Sequence, residues 1–343
     1  MEKKRLIIWM IFLLVIGFLL FGFILQKSPE ESIQITCGDG TSYGNCSDNL
    51  PYFCDNGTLV PLPKKCGCPS EFNIENNSCV SEYEKNPKEA SFNYTLRGNN
   101  SEINLKVYEK VKNYTKDISR EMTFDSDENY SLRNFKVKAI NDSIQNFYLT
   151  PLAIKIQNLF PNNKKDQIRT AVSLVQNIPY EASKEKSSST FFKDKVNHSR
   201  YPYEVVYENK GICGEKSQLL VFLLKEFGYE TAIFSFPDYN HEAVGVKCPS
   251  KYSFKDTGFC LIETTRPSII SSKFFLFEEF GKTETSPEVY KISSGISLPK
   301  EMYDYDDAES FDKIQESIQK DGMLSSNEKN KLEKLRKKYG LTF

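Results

Sequence analysis

The sequence predicts an α+β fold in which a buried helix bearing a cysteine packs on an antiparallel sheet. Residues 217–227 are apolar on nearly every side of a helix that Gly228 would end, so this helix should be enclosed on most of its faces. Three strand-like stretches follow it closely, at residues 230–236, 241–247 and 259–265. The chain of 343 residues has room for two domains, one of them with a full hydrophobic core.

The overall charge does not favour a nucleic-acid partner. Lysine and arginine number 45 against 46 aspartates and glutamates, which leaves a net charge of -1. This balance, together with 39% apolar residues, argues against both nucleic-acid binding and disorder. Cysteine is abundant, with nine residues, whereas only two histidines are present. No pattern of metal ligands stands out, and neither a metal nor a cofactor is predicted.

An apolar run predicts a transmembrane signal anchor within residues 1–27. Leu6 to Leu25 contains 20 residues, about 30 Å as a helix, which matches the hydrocarbon core of a lipid bilayer. Three basic residues precede the run and one follows it, so we expect a cytoplasmic N-terminus at the cell membrane and an extracytoplasmic bulk. A cleaved signal peptide is the alternative, but residues 23–27 offer no small-residue cleavage site.

Glycosylation acceptor triplets agree with an exterior location. Nine Asn-x-Ser/Thr triplets occur, although an asparagine-rich sequence also produces them by chance. The candidate asparagines are Asn45, Asn56, Asn76, Asn93, Asn99, Asn113, Asn129, Asn141 and Asn197.

Residues 32–81 are predicted to form a small module held by disulfides. Six cysteines lie there in a segment rich in Gly, Pro, Asn and Ser, and the segment contains no Cys-x-x-Cys pair and no histidine, which favours disulfides over zinc. Six cysteines allow fifteen pairings, so their connectivity stays open. The elements CxDGTxxGxC, PxxC and CGCP resemble a cysteine-rich module of archaeal surface proteins. The cysteines are Cys37, Cys46, Cys54, Cys66, Cys68 and Cys79.

Three cysteines remain outside this module. Cys248 and Cys260 lie at the facing ends of two strand-like runs and could close a loop of about a dozen residues, which is worth about 3 kcal/mol in the loop-entropy model. Cys213 is then left unpaired. An odd thiol in an oxidising compartment is either a reactive group or a partner for another chain.

Cys213, His241 and Glu263 are the candidate catalytic residues. Cys213 falls at the start of the apolar helix, where unpaired N–H groups and the helix dipole stabilise a thiolate. His241 begins the second strand-like stretch and would take up and return the proton. Glu263 lies on the third stretch and would orient the imidazole. A nucleophile, a base and an acid in this order are the parts of an activated cysteine.

The segment from Ile168 to Pro267 is similar to the transglutaminase-like superfamily. The resemblance implies a papain-like core, and it maps the family's Cys and His onto Cys213 and His241 and its Asp onto Glu263. It is carried by a helix leading to Gln176-Asn177-Ile178-Pro179-Tyr180, and by Tyr201-Pro202, Gly211-Ile212-Cys213, Asn240-His241-Glu242-Ala243-Val244 and Ile262-Glu263-Thr264-Thr265.

Two departures from the family pattern bear on the reaction. The acid is a glutamate, and the only tryptophan, Trp9, lies in the apolar run, whereas cross-linking members use tryptophans at the oxyanion site and acceptor tunnel. Hydrolysis of a peptide or amide is therefore expected over protein cross-linking, with a protein or peptide as substrate. Tyr203 or Tyr207 could supply an oxyanion donor, and nothing in the sequence chooses between them.

The predicted disulfide and the predicted His–Glu contact conflict in a regular ladder. Pairing His241 with Glu263 sets Cys260 opposite Val244, four positions away from the register that a direct Cys248–Cys260 pair requires. A bulge or a folded-back hairpin end would reconcile them, or one assignment is wrong.

These observations predict five segments and two candidate functions. The leading function is a membrane-anchored, extracytoplasmic cysteine hydrolase or acyltransferase that forms a thioester, most simply a peptidase or amidase. The alternative is a non-catalytic surface-binding or adhesion protein that reuses the same fold. The segments are an anchor at 1–27, the disulfide module at 32–81, the N-terminal part of the globular region at 88–160, a transglutaminase-like domain at 161–300 and a helical hairpin at 301–343.

Overall fold

The computed structural model describes residues 36–120, 128–182, 199–274 and 286–342. The disulfide region comes first and contains two short hairpins and one helical turn. Its bounds are β1 Tyr52–Asp55, β2 Thr58–Pro61, α1 Pro63–Cys66, β3 Asn73–Glu75 and β4 Ser78–Val80. Three disulfides hold this region, namely Cys37–Cys54, Cys46–Cys66 and Cys68–Cys79. The prediction of disulfides in this segment is confirmed, and the structure selects one connectivity.

The disulfide region is docked on the helical part of the chain. The side chain of Asn158 accepts from the N–H of Leu59 at 2.8 Å and donates to its carbonyl at 2.9 Å, as a neighbouring strand would. Gly38 lies against Gln157 so closely that a Cβ there would be 2.6 Å from the Gln157 carbonyl oxygen. The described residues accordingly cluster as one compact unit.

A long hairpin and four helices follow. The hairpin pairs β5 Pro87–Leu96 with β6 Asn99–Tyr108 through a two-residue turn in which Arg97 and Gly98 both have positive φ, the backbone that matches the twist of the strands. Asp142 and Asn163 cap two of the helices by accepting backbone N–H bonds with their side chains. The helices are α2 Glu109–Asp117, α3 Glu128–Ile140, α4 Ser143–Leu159 and α5 Lys164–Asn177.

The second half of the described chain builds a four-stranded antiparallel sheet around a central helix. The sheet order is β10-β7-β8-β9, so β10, the last of these strands in sequence, pairs with β7, the first of them. The central helix, α7, is preceded by α6, and it packs against β7 and β8 and against α3, α5 and α6. The bounds are α6 Pro202–Glu208, α7 Cys213–Glu226, β7 Thr231–Phe236, β8 His241–Lys247, β9 Phe259–Ile262 and β10 Glu288–Ser293.

The core follows from the composition of α7. Residues 217–224 are completely buried, because apolar side chains on every face of the helix require neighbours all round. Helices α8 Tyr303–Asp321 and α9 Ser326–Tyr339 complete the described chain and pack on each other. A capping box at Ser325 and Glu328 begins α9, and Gly340, with positive φ, ends it.

The predicted fold class needs correction. The described residues form an α+β fold with nine helices and a small disulfide-rich region, and among them no helix is long and apolar enough to cross a membrane. The transmembrane helix was predicted for residues 6–25, which lie outside the described residues. That prediction rested on hydropathy, and hydropathy indicates that a segment could span without showing that it does. The papain-like core is not confirmed and stays a prediction. It rested on a residue pattern, and a pattern does not fix how helices and strands pack.

Candidate functional site

Cys213 is the first residue of α7 and the one free cysteine of the nine. It is 5% exposed, and its thiol lies 4.0 Å from the carbonyl oxygen of Asn240. The helix start is held by Glu215, whose fully buried carboxylate accepts from the Ile212 N–H and from Arg200. The first turn of α7 therefore presents the sulfur beside the start of β8.

His241 is placed by the tight turn before β8. The turn ends at Asn240, whose left-handed backbone, with φ 54°, reverses the chain so that His241 pairs with Phe236 of β7. The His241 Nε2 lies 2.9 Å from a carboxylate oxygen of Glu263, and hydrogen bonding with the Cys213 side chain is among the causes that raise the pKa of the ring. Since an imidazole has two nitrogens, Nδ1 is the one left for the sulfur.

Burial opposes the positive charge of His241, but two partners outweigh it. The negative charge of Glu263 and the hydrogen bonds to Cys213 and Glu263 raise the pKa of His241 well above its usual value. The site therefore favours the imidazolium, which is the form that accompanies a thiolate.

Glu263 directly follows β9 and is almost completely buried. Its Oε1 accepts three hydrogen bonds of 2.8 Å, from the N–H groups of Thr264 and Thr265 and from the Thr265 hydroxyl, which leaves Oε2 to face His241. Burial alone would raise the pKa of this carboxyl, but the charge of His241 and these donors hold it well below its usual range. The acid is thus ionised and fixed in orientation.

The structure brings the three predicted catalytic side chains into one continuous series of contacts, from thiol to imidazole to carboxylate. Such a series can move a proton off a thiol, stabilise the resulting ion pair and return the proton to a leaving group.

The ladder between β8 and β9 resolves the conflict between the predicted disulfide and the predicted His–Glu contact. Val246 pairs with Cys260 and Val244 with Ile262, a register midway between the two that the predictions require. Cys248 lies just past the end of β8, and Glu263 lies just past the end of β9. In each contact, one partner has therefore left the ladder. The Cys248–Cys260 disulfide forms with 5.7 Å between its Cα atoms. Both assignments are therefore compatible.

The two tyrosines proposed as oxyanion donors have other contacts. The Tyr203 hydroxyl accepts from the N–H of Tyr108 at 2.7 Å, and Lys88 lies over the Tyr207 ring, 3.8 Å from its centroid. Neither of these contacts is with the thiol. Backbone N–H groups at the start of α7 remain the donors nearest to Cys213 in the chain.

An ion pair that the sequence did not indicate lies beside the nucleophile. Lys136 of α3 and Glu242 of β8 are joined at 2.6 Å, and a Cβ added to Gly214 would come within 2.5 Å of the same Glu242 oxygen. A side chain at position 214 would therefore require the Glu242 carboxylate to shift. No local signal connects Lys136 to the site, because it lies 106 positions from Glu242 in the chain.

A buried lysine was also missed. Lys216 lies one turn after Cys213 in α7, just before the apolar residues 219–224, and is 0% exposed. A charged residue within an apolar helix is a signal that could have found it. In the described part of the chain, no group of three or more His, Cys, Asp or Glu side chains could hold a metal ion.

The seven candidate glycosylation asparagines that the structure describes with their side chains are all exposed. The other two, Asn129 and Asn197, lie outside the residues whose side chains are described. Exposure is a requirement for modification of this kind.

No protein-family model, curated protein or solved structure matches the chain. The function is therefore argued from the residues and their geometry.

Proposed function

We propose that the protein is a cysteine-dependent hydrolase or acyltransferase of peptide or amide bonds, related to the transglutaminase-like superfamily. The observation that carries the proposal is the contact series of Cys213, His241 and Glu263, buried at the start of a helix. A thiol, an imidazole and a fixed carboxylate in contact are the parts that acyl transfer through cysteine needs.

In the proposed reaction the Cys213 thiolate attacks the carbonyl carbon of the scissile amide, and the electron pair of the C=O bond moves to oxygen. Backbone N–H groups at the start of α7 would stabilise that oxyanion. Collapse of the intermediate breaks the C–N bond, and the His241 imidazolium gives its proton to the departing amine. A thioester on Cys213 remains.

Water then resolves the thioester. Neutral His241 takes a proton from the attacking water, the C–S bond breaks, and the sulfur leaves as thiolate beside the reformed imidazolium. Glu263 keeps the imidazole in one orientation and stabilises its charge through both steps. An amine in place of water would give transamidation by the same route.

An extracytoplasmic location belongs to the same proposal. It is supported by four disulfides, which persist in oxidising compartments, and by the exposed acceptor asparagines. The apolar run of residues 6–25 stays a sequence prediction of contact with a bilayer.

One observation favours a second candidate, a non-catalytic surface-binding protein. Cys213 and His241 are each only 5% exposed, and a free cysteine is often a small buried hydrophobic residue. A binding scaffold predicts a thiol that alkylates slowly, whereas an enzyme predicts a fast reaction that persists at low pH.

The deciding experiment is the pH dependence of iodoacetamide labelling in the full-length protein. Eight of the nine cysteines are in disulfides, so labelling reports on Cys213 alone. An ordinary thiol with a pKa of about 8.5 is roughly 0.3% ionised at pH 6. We expect labelling of the wild type to persist at pH 6 and to be lost in His241→Ala.

The matched control is His198→Ala, which removes the only other histidine and should leave the profile unchanged. Cys213→Ala confirms the labelled position. Labelling that follows an ordinary thiol titration in the wild type would reject the enzyme and leave the binding scaffold. Substrate screening with peptides and amides, with Cys213→Ala as the inactive reference, follows from a positive result.

A further inference from the structure

Lys216 is a buried cation on the helix that carries the nucleophile. Its Nζ donates to three backbone carbonyls, those of Ile178 at 2.6 Å, Thr265 at 3.1 Å and Gln176 at 3.2 Å. Two of these acceptors lie at the end of α5 and the third lies in the turn after β9. Three acceptors match the three protons of an ammonium group.

Two of the three carbonyls that accept from Lys216 belong to residues that also hydrogen-bond Glu263. Thr265 donates its N–H and its hydroxyl to the Glu263 carboxylate. Gln176 donates its side-chain amide to the Glu263 backbone carbonyl at 2.8 Å. Lys216 thus links α7 to two of the residues that fix the acid, one on its side chain and one on its backbone.

A second contact joins the same two segments. The Thr264 hydroxyl lies 3.4 Å from the Cys213 carbonyl oxygen and 3.1 Å from the Ser217 hydroxyl. The turn that contains Glu263 is therefore seated on the first turns of α7, and Lys216 is a charged side chain of α7 that binds it.

Packing alone does not account for a lysine in this position. Burial lowers the pKa of Lys216 to about 7, while the negative charges of Glu263 and Cys213 oppose that shift. A buried ammonium is costly unless it is fully hydrogen-bonded, and an apolar side chain of similar length would fill the space without that cost.

We propose that Lys216 is a positioning residue, whose three hydrogen bonds set Glu263, and through it His241, at the correct distance from Cys213. This inference rests on the proposed function. It adds a residue whose three hydrogen bonds go to backbone carbonyls and not to the thiol or the imidazole, and which acts through the turn that bears the acid.

The test compares Lys216→Met with Lys164→Met. Lys164 is a matched control, because its Nζ also donates to backbone carbonyls, those of Gly38 and Phe227, and burial also lowers its pKa. Phe227 is the residue at the far end of α7 from Cys213. Both variants are measured by thermal unfolding and by the rate of Cys213 alkylation at pH 6 and pH 9.

We expect Lys216→Met to alkylate at least about tenfold more slowly than wild type at pH 6, since a change of one unit in the pKa of the ion pair alters its ionised fraction tenfold. At pH 9 the thiol ionises without help from His241, and the rates should agree within about threefold. Lys164→Met should match wild type at both pH values even if its melting temperature falls.

The outcomes separate the two proposals. A wild type without low-pH reactivity rejects the proposed function, and the role of Lys216 with it. A reactive wild type whose Lys216→Met variant is equally reactive at pH 6 rejects the positioning role alone.

Lys216→Gln provides a second variant, shorter and uncharged, which should lose the pH 6 reaction as the methionine variant does. A downfield Nε2 proton of His241 in the NMR spectrum, weakened in both variants, would report the loosened contact with Glu263. If both variants fail to fold, Lys216 is a structural residue and the positioning role is rejected.

Discussion

Replacing Glu263 with glutamine removes one charge from the site while keeping the shape of the side chain. Two backbone N–H groups and a hydroxyl converge on Oε1 in the wild type, so the oxygen of the new amide must occupy that place. The amide NH₂ then faces His241 Nε2, which has to become an acceptor. The single proton of the neutral ring moves to Nδ1, the nitrogen beside Cys213, and that nitrogen can no longer accept the thiol proton.

The size of the effect follows from the contact that is lost. A hydrogen bond to a charged group contributes about 1.5–3 kcal/mol. At about 1.4 kcal/mol for each factor of ten, the Glu263→Gln variant should alkylate about 10- to 150-fold more slowly at pH 6, and the unfavourable tautomer adds to that loss.

Alkylation rates of Glu263→Gln and wild type from pH 5 to pH 9 test this expectation. Glu226→Gln is the control, because Glu226 ends the same helix, α7, and its pKa is raised by burial. The control should follow the wild-type profile. Equal rates for Glu263→Gln and wild type at pH 6 would refute the reasoning and remove Glu263 from the site.

Unfolding by urea gives an independent measure of the same pair. The folded state lowers the pKa of Glu263, so its contribution to stability is present above the unfolded pKa near 4.5 and is lost as the pH falls towards the folded value. The folded state raises the pKa of His241, so that contribution is present below about 6.5 and is lost as the pH rises through the folded value. The Glu263→Gln variant should show a flatter dependence in both windows.

Three further predictions concern the surroundings of the site. Gly214→Ala places a methyl group 2.5 Å from a Glu242 oxygen, at the end of a side chain that can shift, and should lower the free energy of unfolding by no more than about 1 kcal/mol in urea; a loss above about 3 kcal/mol would contradict this. Tyr203→Phe loses the bond from the Tyr108 N–H and should cost about 1 kcal/mol without slowing alkylation at pH 6; a tenfold slower reaction would return Tyr203 to the site. Replacing both cysteines of the β8–β9 disulfide with serine should cost about 3 kcal/mol in urea unfolding, and an unchanged midpoint would contradict this.

Much of the site could be predicted because its signals are local. The apolar pattern of α7 with Gly228 after it predicted the helix, and the strand-like runs at 230–236 and 241–247 agree with β7 and β8 to within one residue. The third strand ends at Ile262, three residues before the predicted end, because Thr264 and Thr265 turn to bind Glu263 instead of extending the ladder. Strand β10 has no comparable apolar alternation and was not predicted.

Long-range contacts could not be predicted in the same way. Six cysteines allow fifteen sets of pairings, and the structure contains one of them. The disulfide region in which they lie packs on α4. The approach of Lys136 to Gly214 depends on how α3 packs on α7, and no feature near either residue encodes it.

The sequence by itself determined the residue types of the candidate site and their order, with Cys213 at a helix start, His241 at a strand start and Glu263 after a further strand. It also determined that at least one cysteine has no disulfide partner within the chain, since nine is odd. Only the tertiary structure decided the register that lets the His241–Glu263 contact and the β8–β9 disulfide coexist, and the three carbonyls around Lys216. The reason is physical: periodicity and capping act within a few residues, whereas register and burial depend on which distant surfaces the whole chain packs together.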